Sequence, residues 1–561
     1  MNFVFNWSLT NNNIFLIDRK GNKEYFCPGI RVAKKYRDVM TGKYYLKLKF
    51  VVGSYTESLT IPRQLLADGL LPALFEKGFS ISPIKENHAM LSEILMDQEA
   101  VMDLSFCHTK LGFAEFKGKF YFFGKNEASG ALKSRYVGHK NLSSEGSFDD
   151  WRSFVQEMLN KSPVLAIPLA MGLSAPVDTR MTMCGLTDLT LIWGIVGASS
   201  KGKTTSLELA ASVWGLPSGK GIIDNITGTR TYSIASLASS EGFPNFYDET
   251  SAVSWDFTAY IYSAALSREG GRCNPDGTPK ERKTWSGAIV FTGETSMFHQ
   301  TNGNAGLHAR LIEVDLDWFA SAQDADTVKA FVSKNYGTAW VPFVNHLQSI
   351  SDEDLKLRID DSFEFLKKQV ALYSRFTEDN WKNKYFSGLQ IRIIKKLAIL
   401  RVTIDLMCDA FDVKVNEETL LDALMTTYES NVGNSDKIAD FYEDFKQFVV
   451  SHKYQFPDKN VASDEIVHRN PIGMYSITKD GLKCVWVTSN VFKEHLIKHG
   501  LDTSTSTLRA LNHRNMIVRF KDRYQKLTYL GKVAVNCYCV ILEIDPTSEP
   551  LTKPKKPKKE R

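Results

Sequence analysis

The sequence predicts an α/β phosphate-loop core, preceded by a β-rich N-terminal domain and followed by a C-terminal winged helix. Three observations predict it. An apolar run, Leu189 to Val196, leads into Gly197-x-x-x-x-Gly202-Lys203-Thr204 and then a helical pattern from Thr204 to Trp214, with Gly215 as its cap. Before this stretch the chain alternates in the manner of strands. After about residue 430, short helices give way to strand-like runs. The expected bounds are 1–150 for the β-rich domain, 151–425 for the core with a helical lid, 426–545 for the winged helix and 546–561 for a basic tail.

In the first domain Tyr44, Leu46, Leu48 and Phe50 face one way, with Lys47 and Lys49 opposite. Lys20-Gly21-Asn22 and Thr41-Gly42-Lys43 mark turns, and Leu65 to Lys77 reads as a short helix. Phe120-Tyr121-Phe122-Phe123 is expected in a β core, with base stacking as the alternative. A chain of 561 residues, 43% hydrophobic and 24% charged, holds about three ordinary globular domains. Its eight cysteines form no C-x-x-C pair, which argues against a zinc or disulfide framework and fits a reducing interior. The apolar stretch Val164–Leu173 is short and contains Pro168, so a cytoplasmic protein without membrane contact is expected. The net charge of +5 resides in the tail from Lys553 onward, which reads as a solvated end.

Each residue of the loop has a task. Gly197 and Gly202 let backbone N–H groups turn towards an anion, and Ala198, Ser199, Ser200, Lys201 and Thr205 complete the cradle. Lys203 reaches the β- and γ-phosphates of ATP, and the Thr204 hydroxyl ligates Mg²⁺. Hydrolysis further needs a carboxylate for the metal and one for the attacking water. Asp248 and Glu249 offer these, although Pro244 and Asn245 interrupt the strand before them; Asp224 and Asp315 are rivals for the metal. On the apolar run Gly287 to Glu294, Thr292 is preferred to Glu294 beside the γ-phosphate, because a second carboxylate would repel it. Between these strands, Asn274-Pro275-Asp276-Gly277 is a turn signal flanked by Arg268, Arg272, Lys280, Arg282 and Lys283. That is a basic hairpin suited to a phosphate backbone, or a solvated loop.

Gly197 to Thr205, Ala210-Ala-Ser-Val-Trp-Gly215, Asp248-Glu249, Trp285, Phe291-Thr-Gly-Glu294 and His308-Ala-Arg-Leu-Ile-Glu-Val314 together resemble one family. It is the MCM-like AAA+ replicative helicases and initiators of bacterial mobile genetic elements, of the staphylococcal pathogenicity-island Rep and cassette-chromosome helicase type. The likeness spans roughly residues 20 to 420 and is concentrated between 190 and 315. It implies a homo-oligomeric ring, a hexamer, with ATP at subunit interfaces. It also implies that Arg310 is an arginine finger and Arg392, on the amphipathic helix Gly388 to Met407, a second sensor.

At the C-terminus, helices at Ile438–Val450 and Ser489–His499 precede Thr503–His513, with strand-like runs at Ile517–Phe520 and Val533–Ile544. Thr503–His513 is expected to read DNA through Thr507 and Arg509, with Arg514 beside them. Val518 to Lys526 forms the expected wing, with Arg519, Lys521 and Arg523 on phosphates. The expected function is an ATP-driven replicative DNA helicase that also binds and opens an origin. The alternative is an ATP-dependent origin-binding switch that assembles on DNA without unwinding it.

Overall fold

Alternation of apolar and polar residues builds the N-terminal segment as β structure, in the computed structural model of the chain. The structure describes residues 6–542 apart from 186–189, 200, 227, 239, 251–254, 256, 281, 301–305, 374–380, 384–385, 434–436, 459–469, 478–480, 500, 502, 504, 522 and 531–532. Ser200, Leu189, part of the Gly303–Gly306 turn and the basic tail therefore lie outside the described residues. The chain divides into two units, one of Met1–Met297 with Arg310–Thr427 and one of Phe298–Ala309 with Tyr428–Arg561.

In the first unit, β1 (Asn6–Thr10), β2 (Asn13–Ile17) and β3 (Lys23–Pro28) form an antiparallel sheet. The strands β4 (Ile30–Asp38), β5 (Tyr44–Val52) and β6 (Tyr55–Pro62) form an antiparallel ladder. Leu46, Leu48 and Phe50 are buried on one face of it, as the alternation predicts. The expected helix from Leu65 is broken. A 3₁₀ turn at Arg63–Leu66 is separated from α1 (Leu70–Phe75) by Gly69 at φ +95°, since Asp68-Gly69 favours a turn over a helix interior. After α2 (Lys85–Ala100), β7 (Leu104–His108) adds to the ladder, and β8 (Leu111–Phe116) pairs with β9 (Lys119–Phe123) before β10 (Ser134–Tyr136). Phe122 and Phe123 are wholly buried, Phe122 against Trp214 and Trp340, so this end of the aromatic strand is core, whereas Phe120 is exposed.

Helices α3 (Phe148–Lys161) and α4 (Ala166–Met183) lead into β11 (Leu191–Val196), every residue of which is buried. Burial of Ile192, Ile195 and their neighbours stabilises the sheet by on the order of 2 kcal/mol per side chain. The helix after the loop, α5, runs Lys203–Ser212, ending short of Trp214, and Gly215 does not adopt the left-handed cap conformation expected of it. Then come β12 (Ile223–Asn225), α6 (Arg230–Leu237), β13 (Ser240–Glu241), β14 (Asn245–Asp248), α7 (Phe257–Ala265), β15 (Ala288–Gly293) and β16 (Leu311–Val314). The central sheet is wholly parallel, in the order β12-β14-β15-β11-β16. Such a sheet needs both faces covered, hence its continuous apolar strands.

Helices α8 (Ala322–Val332), α9 (Trp340–Ser349), α10 (Asp352–Tyr373), α11 (Gly388–Phe411) and α12 (Glu417–Gly433) follow. The expectation of an amphipathic helix at 388–407 needs correction. From Ile393 onward α11 is buried on most sides, because α4, α9 and α10 all pack against it.

The second unit contains α13 (Lys437–Ser451), β17 (Gly473–Ile477), β18 (Lys483–Thr488), α14 (Ser489–Lys498), α15 (Thr505–His513), β19 (Gln525–Leu530) and β20 (Val533–Ile541). Its sheet has the order β17-β18-β20-β19. Two features differ from expectation. Ile517–Phe520 makes isolated bridges, to Val540 and Arg523, in place of a strand. The extended hairpin is β19–β20, and of the expected wing Phe520 and Arg523 bond each other across a turn before it, while Gln525 and Lys526 already belong to β19.

Candidate active site

The loop after β11 is shaped by its glycines. Gly197 has φ +135°, and a Cβ there would meet the Asp315 carboxylate at 2.6 Å. Gly202 has φ +78°, and a Cβ there would lie 2.5 Å from the Phe319 ring. Neither position admits a side chain, so the backbone curls tightly and α5 opens directly behind it, with the unpaired N–H groups of its first turn towards the loop. Lys203 is buried, and its ammonium donates to the Ala198 carbonyl at 2.8 Å, across the loop. Lys201 is bound elsewhere: its ammonium lies 3.2 Å from Asp315 and 3.6 Å from Asp317, and Asp315 raises its pKa.

Four further side chains converge beside the loop. The Thr204 hydroxyl donates to Asp248 Oδ1 at 3.3 Å, joining the start of α5 to the end of β14. The Thr292 hydroxyl, from the adjacent β15, donates to the same oxygen and accepts the Glu249 N–H at 3.0 Å. The Thr250 hydroxyl donates to the Thr292 carbonyl at 2.9 Å. Glu249 sits at φ +59°, a left-handed conformation that costs an L-residue about 1–2 kcal/mol. The threonine bonds hold it there, so the strain coincides with the expected catalytic carboxylate.

Asp224 pairs with Tyr247 one strand further out, and Asp315 is taken by Lys201. Among the described residues, Asp248 is the carboxylate that Thr204 reaches. Thr292 proves to be committed to Asp248 and Glu249, a role its sequence position alone does not suggest, while Glu294 is exposed. The polar interruption before Asp248 also has a cause. Asn245 is buried and accepts a 3.0 Å bond from Lys140, whose pKa burial depresses. That lysine lies over a hundred residues away in sequence, and nothing local signals it.

Arg310 is not at this site. Strands β11 and β16 are parallel with Leu311 level with Ile192, so Arg310, just before β16, lies at the end of the sheet opposite the loop, about 20 Å from Gly197 along the strands. Its guanidinium stacks 4.5 Å above the Tyr262 ring, and its carbonyl accepts from Lys396. Burial depresses the Lys396 pKa to about 7. Arg392 is exposed near the start of α11 and makes no contact with the loop among the described residues.

The basic hairpin exists. Arg268 pairs with Thr284 and Cys273 with Pro279, and Gly277 N–H closes the tip on Asn274. Arg268, Arg272, Lys280, Arg282 and Lys283 are all exposed, Arg272 beside Glu269 at 3.4 Å. In the second unit Arg509, Arg514, Lys521 and Arg523 are exposed, Thr507 is half-buried, and the Arg519 guanidinium lies 5.9 Å from the Tyr524 ring centroid.

Two family models and one solved structure resemble the chain. Residues 12–284 match a family described as a domain of unknown function (DUF927), and residues 436–546 match the Cch helix-turn-helix domain. A solved structure described as "SCCmec type IV Cch - active helicase" superposes with a TM-score of 0.72 at 20% identity, covering 97% of this chain and 98% of that one. This chain has the Cch fold. That fold is shared along almost the whole length, and the C-terminal residues match a Cch-type helix-turn-helix. No curated protein matches the sequence. Among the described residues, no helix of this Cch-fold chain is long and apolar enough to cross a membrane.

Proposed function

We propose that the protein is an ATP-driven DNA helicase with an AAA+ core and a DNA-reading C-terminal helix-turn-helix unit. The observation that carries this is the bond network of Thr204, Asp248, Thr292 and Glu249 beside the glycine-shaped loop. It joins a phosphate cradle to the Asp248 carboxylate and, through one polar residue on an intervening strand, to the backbone of Glu249, as suits ATPases with an inserted strand. The similar Cch structure is that of an active helicase, which supports the same reading.

The donor set suits Mg²⁺-ATP, which would supply the phosphoryl group and its counter-charge: a hydroxyl and a carboxylate oxygen, both hard ligands, meet at Thr204 and Asp248. The Lys203 ammonium leaves the Ala198 carbonyl for the phosphates. The Glu249 carboxylate orients the attacking water and takes its proton. Thr292 holds both carboxylate residues in register. Because Arg310 lies at the far end of its own sheet, it can serve only a neighbouring subunit's nucleotide, which supports a ring. The exposed cations of the hairpin grip single-stranded DNA, and Thr507, Arg509, Arg514, Arg519, Lys521 and Arg523 meet duplex at the origin.

Strand displacement on a forked duplex tests the proposal. ATP-dependent displacement by the wild type is the expected result. No displacement at any concentration, with ATP-dependent binding to one duplex site, would replace the helicase with a switch.

A further inference from the structure

One cluster of side chains in the second unit is composed of metal-binding groups and belongs to no site described so far. His495 lies in the last turn of α14 and His499 is the residue that caps its C-terminal end, four positions on, while Asp444 approaches from α13. The Nε2 atoms of the two histidines lie 3.1 and 2.9 Å from a single oxygen, Asp444 Oδ2. The three atoms all fall within 4.8 Å of one another. The Lys498 ammonium is 3.5 Å from the same oxygen. Three donors thus crowd one carboxylate oxygen that has two lone pairs.

We propose that Asp444, His495 and His499 form a binding site for a divalent transition-metal ion, zinc, that staples α14 to α13. Two imidazoles and a carboxylate are a donor set that zinc accepts, and an i, i+4 histidine pair presents two nitrogens to one point. Tetrahedral ligation at about 2.0–2.1 Å places neighbouring donor atoms about 3.3 Å apart. The observed nitrogen–oxygen separations need to open by only a few tenths of an ångström. One ion at the centre then replaces two hydrogen bonds to a crowded oxygen.

The surroundings favour the site. The His495 ring packs 4.5 Å from Phe448 and 5.5 Å from Phe445, and His499 stands edge-on to Phe441 at 6.0 Å. These rings fix the imidazoles from the core side and leave the Nε2 edges converging on Asp444, whose side chain is 39% exposed. Water can therefore fill the fourth position. Lys498 competes with a cation, but its side chain is 65% exposed and can turn into solvent. The helix so fastened is the one immediately before α15, so the ion would brace the base of the DNA reader. The site does not depend on the proposed helicase activity.

The test is zinc sulfate titration of the full-length chain after chelator treatment, followed by calorimetry and elemental analysis. The wild type should take up one tight zinc per chain and unfold its second unit at a higher temperature in zinc than in chelator. Asp444→Asn and His499→Gln should each weaken uptake at least tenfold. Lys498→Gln, which removes no ligand and so guards against misfolding, should tighten it severalfold. Cobalt(II) in place of zinc should give the visible absorption of tetrahedral coordination in the wild type and lose it in His499→Gln. Uptake that is equal in the wild type and both ligand variants, absent altogether, or unchanged in Lys498→Gln would overturn the site.

Discussion

The phosphate loop and the basic hairpin belong to one unit, yet they are built on opposite terms. Beside the loop, Asp248, Glu249, Thr250 and Thr292 are buried or half-buried and bonded to one another, and two glycines exclude any side chain. Along the hairpin from Arg268 to Lys283, the cations are exposed and the backbone ladder is sparse. Chemistry on a phosphate needs atoms held at fixed places. Holding a uniform polyanion needs charge within reach. A single substitution should therefore be decisive in the first region and graded in the second.

The largest effect is expected from Lys203→Ala, which should abolish binding of a fluorescent ATP analogue and all turnover. Glu249→Gln should come next: nucleotide affinity near wild type, with hydrolysis reduced by about 10²–10⁴. Full hydrolysis in that variant would take the catalytic role away from Glu249.

In the hairpin, Arg272→Ala/Arg282→Ala should lose strand displacement while hydrolysis without DNA persists. Its single-strand affinity should depend less steeply on salt, the log–log slope falling by about 1.4 for two lost phosphate contacts. An unchanged slope would mean the hairpin is a solvated loop.

The smallest effect sharpens the contrast between cations. Lys396 is a buried one, its pKa depressed to about 7 by burial, with Arg310 lowering it and Asp178 opposing. The unfolded chain then binds more protons than the folded one between about pH 7 and the ordinary lysine value. Stability should rise with pH through that window. Between pH 7 and 8.5 the gain should be about 1.5 kcal/mol, read from urea unfolding, and should vanish in Lys396→Met. The same pH range should leave the hairpin variant's stability difference flat, because its arginines do not titrate there.

What was legible in the sequence follows from how local the cause is. The strand–loop–helix at 191–212 declares itself through glycines and an apolar run, and so does the Asn274–Gly277 turn. Asp248 and Glu249 could be found by asking where a second strand must end. The helix at 388–411 reads as amphipathic because Lys395, Asp405 and Asp409 mark a polar side; the three helices packed against it decide its burial. The strands β17 and β18 are absent from the sequence reading although Val485-Trp486-Val487-Thr488 alternates in burial. The β19 strand was missed because the charged turn at Lys521 drew attention from Leu527 and Tyr529, whose side chains stay exposed. The pairing of Asn245 with Lys140, the tether from Lys396 to Arg310 and the approach of Asp444 to the His495–His499 pair are tertiary, and no local spacing of residues announces them.

The base of the hairpin carries a mechanical consequence. Ser267, where its first arm leaves, bonds to Thr190 at the foot of β11 at 2.9 Å, and its second arm runs through Trp285 straight into β15. Ser286 at that foot also bonds Glu241 on β13 at 2.8 Å, and β13 in turn pairs with β8. From Ala288 to Thr292, β15 is a stiff rod about 13 Å long with the hairpin at one end and the Thr292–Asp248–Glu249 bonds at the other. Under the proposed helicase function, a tug on the tip would be transmitted along this one strand to Asp248 and Glu249, and the hairpin would work as a pawl whose pivot is the sheet itself.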